Sequence, residues 1–177
     1  MSEQIKVGPS GDAGGSEFQI DNAAKNARIT QVTIRSGDYI DGITLAWSDG
    51  NSEEIGGHGG EVNSVELEKD EYLVGIDGKA GRYVDQITLY TNHRTLGPYG
   101  GKGGDLDFSY KVSGNDDGVE VTGLWGRSGD YVDAIGCIFS HAHSRKKDTG
   151  NKKNTDNKKE KTTKARKTRS SARSKAA

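Results

Sequence analysis

Cysteine, methionine and proline are almost absent from this chain: one, one and two residues in 177, with aromatic residues at only 7%. A lone thiol excludes an intramolecular disulfide, and Cys137, inside the apolar run Ile135–Phe139, reads as a small buried hydrophobe. No apolar stretch approaches the roughly 20 residues that a membrane-spanning helix needs. The opening Met1-Ser-Glu-Gln-Ile-Lys6 lacks the apolar core of a signal peptide. The expectation is a cytoplasmic protein, or one released by a non-classical route. The four histidines, His58, His93, His141 and His143, lack zinc-type spacing, and no nucleophile–His–Asp set or carboxylate pair suggests a hydrolase. No segment carries a sustained helical apolar stripe.

What is abundant is glycine, with 26 residues, and charge, which is segregated. Residues 145–177 hold 14 Lys/Arg against 3 Asp/Glu, a net +11, and contain no apolar side chain larger than alanine. Residues 1–144 hold 11 against 23, a net −12. Two parts follow: an acidic folded domain, 1–144, and a Lys/Arg-rich tail, 145–177, too polar to offset its ordering entropy and expected to be disordered. The tail, with no interleaved aromatics, fits either a solubilising extension or an arm for nucleic acid, an anionic membrane or an acidic partner. Nuclear targeting and folding back on the acidic domain are further roles open to it.

One nine-residue pattern occurs three times: Arg35-Ser-Gly-Asp-Tyr-Ile-Asp41-Gly-Ile43, Lys79-Ala-Gly-Arg-Tyr-Val-Asp85-Gln-Ile87 and Arg127-Ser-Gly-Asp-Tyr-Val-Asp133-Ala-Ile135. Glycine-rich loops recur in step at 11–15, 56–60 and 100–104. Asp41 precedes Gly60 by 19 residues, and Asp85 precedes Gly104 by the same 19. Asp133 has no loop after it, and the loop ending at Gly15 has no motif before it. A closed threefold domain, with the first loop serving the last motif, resolves both leftovers. Alternating segments such as Ile29–Arg35 and Ile43–Trp47 flank each motif, making it a tight turn between two strands. About four strands per repeat give an all-β domain of about twelve strands in three small sheets around one axis. Ile34, Ile43, Leu45, Trp47, Ile87, Leu89 and Ile135 are its expected core.

The turn glycine permits a sharp reversal, after which successive N–H groups can form a nest of donors. The aspartate is a two-oxygen acceptor at neutral pH. Donors facing one bidentate acceptor suit the hydroxyls of a hexose, each of which both donates and accepts. The glycine loop lets backbone approach a sugar closely, and Tyr39, Tyr83 and Tyr131 offer apolar surface for its C–H face. Alone, such a turn also fits a structural hairpin whose Asp accepts from its own backbone. Each turn has one well-placed carboxylate, which falls short of a calcium loop.

With Val7-Gly-Pro9, Leu96-Gly-Pro-Tyr-Gly100 and Gly129-Asp-Tyr-Val-Asp-Ala-Ile-Gly136 added to the three loops, residues 5–140 resemble the jacalin-related lectins. The resemblance implies a β-prism I fold, with three four-stranded antiparallel sheets in pseudo-threefold symmetry. It also implies no catalysis and no metal or other cofactor. By the same resemblance the Asp takes the hexose O4 and O6 hydroxyls, and turn and loop N–H groups take the rest. The implied carbohydrate sites are Asp133 with Gly129, Asp130, Tyr131, Val132 and Gly15; Asp41 with Gly37, Asp38, Tyr39, Ile40 and Gly60; and Asp85 with Gly81, Arg82, Tyr83, Val84 and Gly104. Galactose-preferring relatives need a chain cut at the first glycine loop. Gly15 lies within an uncut chain, so the mannose/glucose class is implied.

Asp12, in place of a loop glycine, and Arg82, where the other motifs have Asp38 and Asp130, depart from the pattern. The expected partners are mannose-rich glycans or glycoproteins, bound weakly per site and more tightly through several sites at once. Self-association into a homo-oligomer would extend that valency. The rival reading is a β-prism scaffold whose main partner is nucleic acid or another polyanion held by the tail.

Overall fold

A computed structural model describes residues 3–22, 25–113 and 118–141. The expected disordered tail, 145–177, and His143 lie outside the described residues. Twelve strands follow in chain order: β1 (Ile5–Gly11), β2 (Ser16–Asp21), β3 (Ile29–Ser36), β4 (Ile40–Trp47), β5 (Ser52–Gly56), β6 (Glu61–Glu66), β7 (Leu73–Ala80), β8 (Val84–Thr91), β9 (Thr95–Gly100), β10 (Leu106–Lys111), β11 (Val119–Ser128) and β12 (Val132–His141). They form three four-stranded antiparallel sheets, ordered β5-β4-β3-β6, β10-β7-β8-β9 and β1-β12-β11-β2.

The central pair of every sheet is the hairpin that carries the repeated motif. Ser36 pairs with Ile40, Ala80 with Val84 and Ser128 with Val132. The turn is therefore residues 37–39, 81–83 or 129–131. A register shift lies just before each turn, between Arg35 and Ser36, Lys79 and Ala80, and Arg127 and Ser128. Such bulges sharpen the local twist and re-aim the residues that follow. In the first two sheets the strand after the hairpin (β5 or β9) joins its second member, and the next strand (β6 or β10) returns to its first. The third sheet obeys the same rule only if counting passes from β12 to β1: β1 joins β12 and β2 joins β11. The two chain ends thus complete one repeat, as the unpaired loop and motif predict.

Hydrophobic positions in and just beyond the motif recur as triplets, with one side chain from each sheet. Ile40, Val84 and Val132 make one, Ile43, Ile87 and Ile135 the next, and Leu45, Leu89 and Cys137 a third, all buried in one core cluster. Every residue expected in the core is buried there. Fully burying such an aliphatic side chain stabilises by about 1.5–3 kcal/mol, and no single small sheet could bury all of them alone. Cys137 lies deep enough that burial pushes its thiol pKa far up, consistent with a packing role. The third sheet is closed over Gly136: the Trp125 indole N–H crosses it to donate to the Val7 carbonyl at 3.0 Å. A Cβ at Gly136 would stand 2.7 Å from that nitrogen and 2.3 Å from that oxygen.

At the end of β7 and β8 away from the motif turn, Glu71 is fully buried. Its carboxylate accepts from Arg94 Nε at 2.8 Å and Nη2 at 3.0 Å, from the Thr91 hydroxyl at 2.7 Å and from the Glu68 N–H at 3.0 Å. These bonds, led by the Arg94 guanidinium, pull the Glu71 pKa down to about 2. Glu68 and His93 stand close enough to share a cation with Glu71. The Glu71 oxygens are already committed to Arg94 and Thr91, so the cluster is a knot tying the β6–β7 turn to the β8–β9 turn.

Candidate functional site

Each motif aspartate lies against the glycine loop assigned to it by the repeat. The second loop residue anchors the loop to the backbone beside the carboxylate: Gly57 N–H donates to the Asp41 carbonyl at 2.7 Å, Gly101 N–H to Asp85 at 2.8 Å, and Asp12 N–H to Asp133 at 3.0 Å. The loop at 11–15 therefore serves Asp133, across the chain ends. The last two loop glycines then fold over the carboxylate. A Cβ on Gly60 would meet Asp41 Oδ1 at 2.7 Å, and one on Gly59 would meet Oδ2 at 2.9 Å. Gly104 and Gly103 stand in the same relation to Asp85, both at 2.8 Å, and Gly15 and Gly14 to Asp133 at 2.6 and 2.5 Å. Gly15, Gly60 and Gly104 also hold φ of +67°, +79° and +92°, which side-chain-bearing residues rarely adopt. Glycine is required there twice over, for conformation and for space.

Asp41, Asp85 and Asp133 retain only 8%, 6% and 6% of their surface in contact with solvent. Burial raises the pKa of all three. At Asp85 the neighbouring Asp105 adds to the effect; at Asp133, Arg127 opposes it and Asp12 adds to it. Asp85 Oδ1 is buried without a hydrogen-bond partner among the described residues. Asp133 accepts from its own backbone N–H. Neither Asp41 nor Asp85 shows the self-directed bond of a merely structural turn. A buried, unmade acceptor costs about 1–3 kcal/mol, more when charged, so Asp85 Oδ1 is an acceptor that the fold itself leaves open.

The turn glycines are placed differently from a simple donor nest. The N–H groups of Gly37, Gly81 and Gly129 close the turn by donating to the carbonyls of Tyr39, Tyr83 and Tyr131, at 2.9, 2.8 and 2.8 Å. Ile40, Val84 and Val132 point their side chains into the core, so only their backbone can belong to a site. Asp38, Arg82 and Asp130 are exposed beside the pocket. The three tyrosines, expected one to a pocket, instead converge. Their ring centroids lie 4.9 Å (Tyr39–Tyr83), 5.3 Å (Tyr39–Tyr131) and 4.8 Å (Tyr83–Tyr131) apart. All three turns, and hence all three aspartate pockets, gather at one end of the prism around this aromatic cluster.

Sequence reasoning missed Gly14, Gly59 and Gly103 as walls of the pockets, although the doubled glycine at each loop end was the available signal. It also missed the contact between repeats. A Cβ on Gly57 would lie 2.2 Å from the Asp130 carbonyl, and one on Gly101 would lie 2.4 Å from that of Asp38. The loops at 56–60 and 100–104 thus each lean on the turn of another repeat.

A threefold prism with polar, backbone-lined carboxylate sites at one end has the form of a ligand-binding module. The chain belongs to the jacalin-like lectin family: the model of the jacalin-like lectin domain matches residues 7–138. Members of this family bind carbohydrate without catalysis, and the fold is their β-prism. Among curated proteins the chain is similar to horcolin of Hordeum vulgare subsp. vulgare, 29% identical over 146 residues, covering 77% of this chain and 97% of horcolin. Among solved structures it is similar to a Malaysian banana lectin, at 34% identity and a TM-score of 0.68, covering 77% of this chain and 98% of that one. A mannose-binding jacalin-related lectin from Ananas comosus aligns at 31% identity and a TM-score of 0.66, covering 77% and 96%.

Proposed function

We propose that this chain is a multivalent lectin for mannose- and glucose-type glycans, with one saccharide at each of Asp41, Asp85 and Asp133. The observation that carries this reading is the threefold recurrence of a buried carboxylate against two glycines, with at least one oxygen unpartnered at Asp85. Within such a pocket the carboxylate accepts from two sugar hydroxyls, and backbone N–H groups of the turn and loop donate to sugar oxygens. Charge-assisted bonds contribute about 1.5–3 kcal/mol each and neutral ones about 0.5–1.5. One shallow site therefore holds a monosaccharide weakly. Glycans or glycoproteins that present several mannose termini to the shared end gain by avidity, roughly a hundred- to ten-thousandfold. The mannose-binding relative from Ananas comosus supports the choice of sugar class.

Calorimetric titration with methyl α-mannoside tests both specificity and valency. Three sites per chain are expected, and Asp41→Ala, Asp85→Ala and Asp133→Ala should each remove one. A triple variant that binds mannans like the parent would overturn the assignment. The net +11 of residues 145–177 favours a second reading, in which a polyanion is an additional or the main partner. A chain shortened to residue 144 keeps mannose-sensitive binding if the lectin reading holds. It loses its binding, previously steep in salt, if the polyanion is the main ligand.

A further inference from the structure

The three pockets share their backbone and differ at their rims, and the Asp85 pocket differs in sign. The residue after the turn glycine is Asp38 at the Asp41 pocket and Asp130 at the Asp133 pocket, but Arg82 at the Asp85 pocket. The central loop residue is His58, Ala13 and Lys102 in the same order. Arg82 and Lys102 belong to the turn and the loop that border the Asp85 carboxylate. Gly81, next to Arg82, would place a Cβ 3.7 Å from both Asp85 Oδ1 and the Cα of Gly104, and Lys102 precedes the Gly103–Gly104 wall. Both cationic side chains are exposed. Among the described residues neither forms a salt bridge, whereas Lys79, Arg94, Lys111 and Arg127 are all paired with carboxylates. The anionic groups nearby are Asp85 itself, Asp105, and Asp38, whose backbone abuts Gly101.

Resting on the lectin reading above, we propose that the Asp85 pocket is specialised for anionic saccharides: a hexose whose phosphate or sulfate ester is read by Arg82 and Lys102. The anion must sit on a ring position away from the edge held by Asp85, because a second negative charge beside that carboxylate is repelled. The Asp41 and Asp133 pockets, with Asp38 and Asp130 at the corresponding rim position, favour neutral sugars. Arg82 and Lys102 are thus specificity-determining residues, and the three sites form one neutral pair and one charge-selective member.

The test is titration of the full chain at low salt with four ligands: methyl α-mannoside, α-mannose carrying an anomeric phosphate, methyl α-mannoside sulfated on a ring hydroxyl, and mannose phosphorylated on its primary hydroxyl. One site per chain should prefer the anomeric phosphate or the ring sulfate over the neutral sugar by roughly three- to tenfold, the range of one or two exposed ion pairs. The preference should fade as salt is raised. Whichever ester binds more tightly identifies the anion. The primary phosphate should bind no better than the neutral sugar. Arg82→Asp should bring the ratio of anionic to neutral affinity to one or below, and Lys102→Ala should lower it partway. That ratio is indifferent to any uniform loss of affinity. Neutral binding at three sites without an anionic preference, or a preference that survives Arg82→Asp, overturns this inference and leaves the lectin reading standing. Absence of any mannoside binding overturns both.

Discussion

Replacing Asp85 by Asn should make the protein more stable and a poorer lectin. The side chain keeps its shape, so Gly103 and Gly104, on which a Cβ would stand 2.8 Å from its oxygens, need not move. What changes is the charge. Oδ1 of Asp85 is out of water with no donor, and burial, reinforced by Asp105, raises the pKa. An unmade buried acceptor costs about 1–3 kcal/mol, more if charged. Neutralising it while leaving a carbonyl oxygen in place should recover about 1 kcal/mol, or roughly 3–4 °C in Tm for a domain of this size. On the ligand side, two charge-assisted bonds become one neutral acceptor bond and a misplaced donor. The loss is about 1–3 kcal/mol, roughly ten- to a hundredfold in affinity. Thermal scanning with and without methyl α-mannoside reads both effects, since a ligand that binds only the folded state raises Tm by mass action. The variant should melt higher than the parent without sugar and gain less from sugar. A variant that melts several degrees lower without sugar would mean that the protein itself uses the carboxylate, and the argument from unmade hydrogen bonds would fail. Acid should act in the same direction. Because the folded pKa lies above the unfolded value, protonation on acidification stabilises the free fold at these three sites and removes the ligand's acceptor.

Glu71 should behave oppositely. With a folded pKa of about 2, its contribution is complete above the unfolded value near 4.5 and is lost as pH falls from there toward 2. Glu71→Gln should cost about 2–3 kcal/mol at neutral pH, flatten the acid limb of the stability curve, and leave mannoside stoichiometry unchanged. Gly60→Ala should silence one site: its Cβ would fall 2.7 Å from Asp41 Oδ1 and 2.8 Å from the Ser36 backbone, at a φ of +79°. Titration should then count two sites, and a count of three would refute the packing argument. Tyr39→Ala removes two ring contacts of about 0.5–1.5 kcal/mol each. It should weaken all three pockets together in the same titration, whereas a loss confined to the Asp41 site would show that each tyrosine serves its own pocket.

Much of the architecture was legible in the chain because the repeat is a physical constraint. Three copies of Gly-x-Tyr-[Ile/Val]-Asp at near-constant spacing, each followed by Ile two residues after the Asp, fix three hairpins and one level of core. Ile43, Ile87 and Ile135 occupy it as the pattern requires. The odd loop at 11–15 and the odd motif at 127–135 called for a chain that closes on itself, and β1 and β2 on either side of the β11–β12 pair supply the closure. These are local signals: a turn glycine, a period of two, and a spacing repeated in step.

Other features depended on the distance between residues far apart in the chain. Nothing near Tyr39, Tyr83 or Tyr131 says that their rings meet, because that follows from three turns pointing at one axis. Burial of Asp41, Asp85 and Asp133 likewise comes from loops folded over them, one of which arrives from the other end of the chain. Order along the chain is enough for the repeat, the turns and the residue types in each pocket, since those are properties of short segments. The tertiary structure alone decided that each carboxylate would be walled in by two glycines and that the three pockets would share one end, since desolvation and convergence exist only once the sheets have packed.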